Sequence, residues 1–174
     1  MKFFAILASV FLLFFTLILI LGVISGSESD VNESITVEAP QVVVLRILID
    51  MDNYQQWCPN ITESRYNPDT RERETTYMFG DRPVLVHEKV QMIQNENIFL
   101  FTAQNNKPRG YMQNIVNEIR LKENADGTTE INWDIRYTLE PMLSKILNLF
   151  FVKPVLSRTL RQNLTSLKAL IEGM

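Results

Sequence analysis

Between Ile35 and Leu139, past the start of that stretch, apolar residues return at every second position in one run after another, and beyond Met142 they return at every third or fourth. The first period belongs to strands with one face on a core, the second to a helix with one apolar stripe. The cleanest strand is Glu130 to Leu139: Ile131, Trp133, Ile135, Tyr137 and Leu139 share the inward face, while Glu130, Asn132, Asp134, Arg136 and Thr138 point outward. In Val84 to Met92 the residues Val84, Val86, Val90 and Met92 form an apolar row with Glu88 in its middle, and His87, Lys89 and Gln91 take the other side. In Tyr111 to Leu121 the odd positions Tyr111, Ile115, Ile119 and Leu121 alternate with Met112, Val116, Glu118 and Arg120, which places Gln113 and Asn117 on the more apolar face. The run Ile98 to Ala103 has Phe99 and Phe101 on one side and Ile98 and Leu100 on the other, so its sidedness stays open. Asp126-Gly127 predicts a hairpin turn before the last strand.

At the carboxyl end Leu156, Leu160, Leu164, Leu167 and Ile171 recur at steps of four and three, one face of an amphipathic helix. Leu149 and Val152 carry the stripe back past Pro154, whose missing donor predicts a kink or interruption near Lys153. At the other end Ser34 to Glu38 reads as a short strand, and Pro40 as the first position of an apolar helix reaching Ile49. Asp50 and Asp52 are candidate caps for a second short helix from Asn53 to Trp57, which Pro59 closes. The predicted order is β-α-α-β(about six)-α, an α+β fold in which an antiparallel sheet covers its apolar face with the last helix.

The first 25 residues stand apart. Phe3 to Ile24 contains 22 residues without a charge, and at about 1.5 Å per residue such a helix reaches roughly 33 Å, enough to cross a bilayer. A cleaved secretory signal is the alternative, but its apolar core usually runs about 7 to 15 residues, and the length favours an uncleaved transmembrane anchor. Lys2 precedes the span while Glu28, Asp30 and Glu33 follow it, which orients the amino terminus to the cytoplasm and the remainder outside it. The expected organisation is an anchor over residues 1–25, a polar linker over 26–33 and one folded domain over 34–174. A net charge of -3 and the lack of a basic patch argue against nucleic acid as a partner. A single cysteine excludes an internal disulfide and cysteine-based zinc sites.

A strand running into Ala39-Pro40, a helix, then Asp50, Tyr54, Trp57 and Pro59, several long strands and a closing amphipathic helix resemble the START-like, SRPBCC superfamily from about Ser34 to the end. The nearest branches are the polyketide cyclase/dehydrase and coenzyme Q-binding ones. The resemblance implies a helix-grip fold, a bent antiparallel sheet wrapped around the last helix, with a cavity for hydrophobic ligands between them. None of the family's catalytic motifs can be placed on these residues, so the resemblance implies a fold and a ligand class rather than a reaction.

On that expectation the cavity would be lined by Val84, Val86, Glu88, Val90, Gln113, Ile115, Asn117, Ile131, Trp133 and Tyr137 from the sheet and by Leu156 and Leu160 from the helix. Glu88 is either a ligand-binding carboxylate, a residue turned outward by a bulge, or the partner of an internal arginine. Arg71, Glu72, Arg73 and Glu74 read as a solvated strand or turn. His87 is the only histidine and falls on the polar face; no metal or cofactor is expected. Cys58 reads as a packed residue rather than a nucleophile. The favoured function is a membrane-anchored domain that binds a hydrophobic small molecule or lipid. The alternatives are a cyclase or dehydratase working through Glu88 and Tyr137, and a tethered interaction protein without a ligand. General acid-base chemistry needs two converging polar groups, and Glu88 is the one good candidate.

Overall fold

The computed structural model describes residues 9–13, 16, 17, 20, 26–93, 97–103, 112–140 and 142–174. The expected anchor lies largely outside them. Residues 9–13, 16, 17 and 20 are helical, and among the described residues no helix is long and apolar enough to cross a membrane.

Strand β1 (Glu28–Val37) leads into helix α1 (Gln41–Ile49) and a 3-10 turn (Met51–Gln56). Six strands follow: β2 (Ile61–Asn67), β3 (Glu72–Phe79), β4 (Arg82–Ile93), β5 (Ile98–Ala103), β6 (Met112–Glu123) and β7 (Thr129–Leu139). The chain closes with α2 (Met142–Leu147), a π-helical turn (Asn148–Val152) and α3 (Lys153–Glu172). All neighbours are antiparallel in one seven-stranded sheet of order β1-β7-β6-β5-β4-β3-β2. This is the predicted α+β order, with β7 as regular as its alternation implies: Ile131, Trp133, Ile135, Tyr137 and Leu139 are all buried. Gly127 adopts φ 82° in the predicted turn before it, a conformation that favours glycine.

The linker expectation fails. Of residues 26–33 only Gly26 and Ser27 lie before β1, which pairs with β7 from Glu28 opposite Thr138 to Val37 opposite Thr129. Its polar sequence hid it, because an edge strand is held by backbone bonds and needs few apolar side chains. Val31 and Val37 are its buried residues. Glu33 lies opposite inward-facing Trp133, and its carboxylate accepts hydrogen bonds from Ser157 and Arg161 on α3. Those two partners, Arg161 foremost, hold the Glu33 pKa below the usual carboxylate value. Farther along, Lys168 donates to the Thr36 carbonyl at 2.7 Å, and the Glu38 amide donates to Glu172 at 2.9 Å. These contacts strap α3 along the β1 edge, while Leu160, Leu164, Leu167 and Ile171 are buried in the core.

The interruption predicted near Lys153 takes another form. Backbone angles remain helical through Val152 and Lys153, and the chain absorbs Pro154 by widening the turn just before it. A π turn relieves the clash that a proline makes with the preceding turn, and Pro154 then occupies the first turn of α3. Asp50 and Asp52 do not cap the short second helix by side-chain bonds. Asp50 instead accepts from Asn53 Nδ2, and Asp52 accepts from the Tyr66 amide, tying the turn to β2. Tyr54 and Trp57 plunge into the core with ring centroids 4.6 Å apart, and Trp57 meets Trp133 edge-on at 5.9 Å. The spacing of Asp50, Tyr54 and Trp57 is therefore a packing signature.

Candidate functional site: a cavity between sheet and closing helix

A cavity of about 440 Å³ lies between the inner face of β3 to β7 and the first half of α3. Of the predicted lining, Val86, Glu88, Ile115, Asn117, Trp133, Leu156 and Leu160 are there. Val84, Val90, Gln113, Ile131 and Tyr137 are not, for separate reasons. Val90 and Ile131 belong to the packed core. Val84 is opposite Tyr77 in the β3 to β4 ladder, and Tyr77 supplies the wall at that level. Gln113 is displaced by a break in register between Gln113 and Val116, where Asn114 takes φ 51°. The bulge puts Gln113 opposite outward-facing Thr138 and gives Met112 the inward place beside Leu139. Tyr137 donates to Asn148 Oδ1 at 2.6 Å, and Asn148 in turn donates to Ser29 at 3.0 Å, so this tyrosine fastens the π turn to the sheet.

The alternation missed the other walls. Ile135 was read as inward but not as lining; Asn60, Tyr77, Met78, Ala103 and Met112 complete the sheet side. On the helix Phe151, Val155, Thr159 and Asn163 form a second row of residues four apart, beside the Leu156 and Leu160 stripe. That spacing was visible, but two of its four members are polar and an apolar-stripe reading passes over them. The row also marks the mouth: Phe151 is 64% and Val155 55% exposed although both line the cavity. Leu143, Leu149 and Phe150 extend the exposed apolar surface next to it.

At the inner wall Glu88 is 1% exposed and Arg73, from β3, is 2% exposed. The reading of Arg73 as solvated is thus wrong; the internal-arginine alternative for Glu88 is the correct one. Arg73 donates to Glu88 Oε2 from Nε at 2.9 Å and from Nη2 at 2.6 Å. Thr75 donates to the same oxygen at 3.3 Å, and the Tyr77 hydroxyl to Oε1 at 3.5 Å. The guanidinium carbon sits 4.6 Å from the Tyr54 ring centroid and 4.2 Å from that of Phe101, a cation between two π faces. Burial disfavours the Arg73 cation, but the Glu88 carboxylate and the neighbouring groups outweigh it, and its pKa ends above the ordinary arginine value. Sequence pattern concealed this pair because the facing partners come from adjacent strands, Arg73 opposite Glu88 in the ladder.

The remaining candidates lie elsewhere. Burial pushes the Cys58 thiol well above its usual pKa, which suits a packed residue and opposes a thiolate. His87 is on the outer face with Nδ1 3.2 Å from Glu74. Among the described residues no group of three or more His, Cys, Asp or Glu side chains could hold a metal.

A curved antiparallel sheet closed by a long carboxyl-terminal helix over an apolar cavity defines a START-like, SRPBCC-type domain. The chain belongs to the family described as polyketide cyclase / dehydrase and lipid transport, whose sequence profile matches residues 29–172. The match begins at β1, in agreement with the strand boundary found above. No curated protein matches the chain. Among solved structures it is similar to the ZhuI aromatase/cyclase of a Streptomyces species, with a TM-score of 0.71 at 12% identity over 83% of this chain and 94% of that one. A START superfamily protein from Mycobacterium smegmatis aligns with a TM-score of 0.63 at 16% identity, covering 83% and 97% of the two chains. A Thermus thermophilus protein gives 0.68 at 13% identity, covering 83% and 98%. At such identities the likeness is one of fold.

Proposed function

We propose that this protein is a membrane-tethered binding domain whose cavity takes up a hydrophobic small molecule or lipid. The observation that carries the reading is the cavity itself: about 440 Å³ with mostly apolar walls, where the one carboxylate among the described lining residues, Glu88, is already neutralised by Arg73. That volume lies in the range of small-molecule sites. Binding is favoured over cyclase or dehydratase chemistry because Glu88 accepts from Arg73, Thr75 and Tyr77, while Tyr137 is engaged with Asn148 outside the lining. Neither proposed acid-base group is free to meet a substrate proton.

Filling the cavity checks this directly. Val86→Trp should reduce the amount of apolar compound recovered by solvent extraction and mass spectrometry of the purified protein several-fold, while the fold survives an overpacking cost of about 1 to 3 kcal/mol. Equal recovery from parent and variant would place the ligand elsewhere, and no recovery from either would favour a tethered protein with a ligand-free cavity.

The tether rests on the uncharged span from Phe3 to Ile24 and on where the chain enters the fold. The Leu139 amide donates to the Ser27 carbonyl at 2.7 Å, so the amino-terminal segment joins the domain beside the start of α2. The exposed Leu143, Leu149, Phe150 and Phe151 lie just beyond that point on α2 and the π turn. With only Gly26 and Ser27 between residue 25 and β1, a bilayer holding the span would face this apolar surface and the cavity mouth beside it. A reporter fused after Met174 is then expected to be active only outside the cytoplasm, with the protein retained in membranes after carbonate washing. A soluble mature form starting near Gly26 would overturn the tether and leave the cavity reading standing.

A further inference from the structure

The charges of the chain are unevenly placed. All of its 20 Asp and Glu lie outside residues 141–171, whereas that stretch holds Lys145, Lys153, Arg158, Arg161 and Lys168 and no acid. An otherwise acidic domain thus carries one basic element, built from α2, the π turn and α3. Three of its bases are engaged: Lys153 lies 3.8 Å from Asp30, Arg161 pairs with Glu33, and Lys168 bonds Glu172 and the Thr36 carbonyl. Among the described residues no acid pairs with Lys145 or Arg158. Those two bracket the exposed apolar row. Lys145 stands four residues before Leu149 and Arg158 three after Val155, so each falls about one turn beyond the row. Between them Leu149, Phe150, Phe151 and Val155 are each 45% or more exposed. Asn148, buried and bonded to Tyr137 and Ser29, fixes the inner side of the π turn and leaves its apolar side chains outside.

We propose that α2, the π turn and the first turns of α3 form a docking surface for an anionic bilayer leaflet, with Leu149, Phe150, Phe151 and Val155 entering the headgroup layer and Lys145 and Arg158 meeting lipid phosphates. This surface takes its location from the tether proposed above and adds to it a lipid composition and an orientation. An apolar helix face flanked by bases is the pattern of an element that lies in a membrane interface. Long basic side chains run their stems over apolar surface while the charge reaches the headgroups. The path of the chain brings the surface to the bilayer, since the Leu139 amide holds the Ser27 carbonyl at 2.7 Å and α2 starts at Met142. Charge decides against the other occupant of such a face, a second copy. A two-fold pairing would set Lys145 and Arg158 of each copy beside those of the other, with no acid of the element between them. The orientation leaves α1 in water. That helix follows Val37, which pairs with Thr129 at the other end of the 11-residue β7, roughly 33 Å from Leu139 at about 3.3 Å per residue.

Cys58 is buried, so Phe150→Cys supplies the one thiol open to an environment-sensitive dye, and Val42→Cys supplies a matching exposed position on α1. The full chain is reconstituted in vesicles of phosphatidylcholine with and without phosphatidylglycerol; flotation reads the tether and the dye reads docking. With phosphatidylglycerol the Phe150→Cys dye should shift to shorter wavelength and be quenched by nitroxide on the lipid chains, and high salt should reverse both by screening. The Val42→Cys dye should stay in water throughout. Lys145→Gln with Arg158→Gln should lower the docking constant about thirty-fold, the worth of two bases at an anionic surface, with the melting temperature unchanged. Flotation with the Phe150→Cys dye in water in both lipids would overturn docking and leave the tether standing. Equal insertion in both lipids, or insertion that survives the double substitution, would overturn the role of charge and the inference with it. Shielding without quenching by lipid, growing with protein density, would overturn it in favour of a second copy. If the chain floats only with phosphatidylglycerol, the tether fails and docking stands; if it floats with neither, both fail.

Discussion

Arg73→Met should destabilise the domain by about 3 to 5 kcal/mol in urea unfolding, because it strands the Glu88 carboxylate in the interior without its cation. The size of the effect follows from the pair's setting. Both side chains are almost wholly buried, and Arg73 also fills the slot between Tyr54 and Phe101. Glu88→Gln should cost a comparable amount by stranding the cation, so that substitution tests stability before it tests any chemistry. The double substitution Arg73→Met with Glu88→Leu removes both charges and should recover much of the loss, since a buried ion pair exchanged for apolar groups of similar volume is often neutral. A double variant as unstable as the sum of the two single variants would show that the charges do not act as a pair.

Removal of Ser157 to Met174 should abolish the cooperative transition altogether. The deletion strips Leu160, Leu164, Leu167 and Ile171 from the core, and each buried aliphatic side chain contributes about 1.5 to 3 kcal/mol. Their combined share is comparable with the whole stability of an ordinary domain, about 5 to 15 kcal/mol. It also removes the straps to Glu33, Thr36 and Glu38, and it opens the inner face around Ile119, Leu121 and Ile131. The truncated protein should bind a hydrophobic dye strongly and lose secondary structure gradually on heating. A sharp melt of that variant would mean that the sheet buries its inner face by some other contact.

The alternation of Glu130 to Leu139 and the stripe from Leu156 to Ile171 were sufficient to place the last strand, the last helix and the faces they turn to each other. Both signals are periodic and local, and burial on one side enforces them residue by residue. Seven of the cavity residues followed from the same periods. The residues that escaped are those whose position depends on a partner distant in sequence. Strand β1 is polar because its pairing with β7 is made by backbone groups, and Glu33 finds Ser157 and Arg161 more than a hundred positions away. Gln113 left the cavity through a bulge at Asn114, a change of register that no alternation pattern reports. Arg73 sits in a charged run that looks solvated, and only the ladder that sets it against Glu88 puts both inside. The sequence by itself determined which faces are apolar and in what order the elements come. The tertiary structure decided which polar groups are enclosed and which are neutralised, because those properties depend on the registers of neighbouring strands and on the helix laid across them.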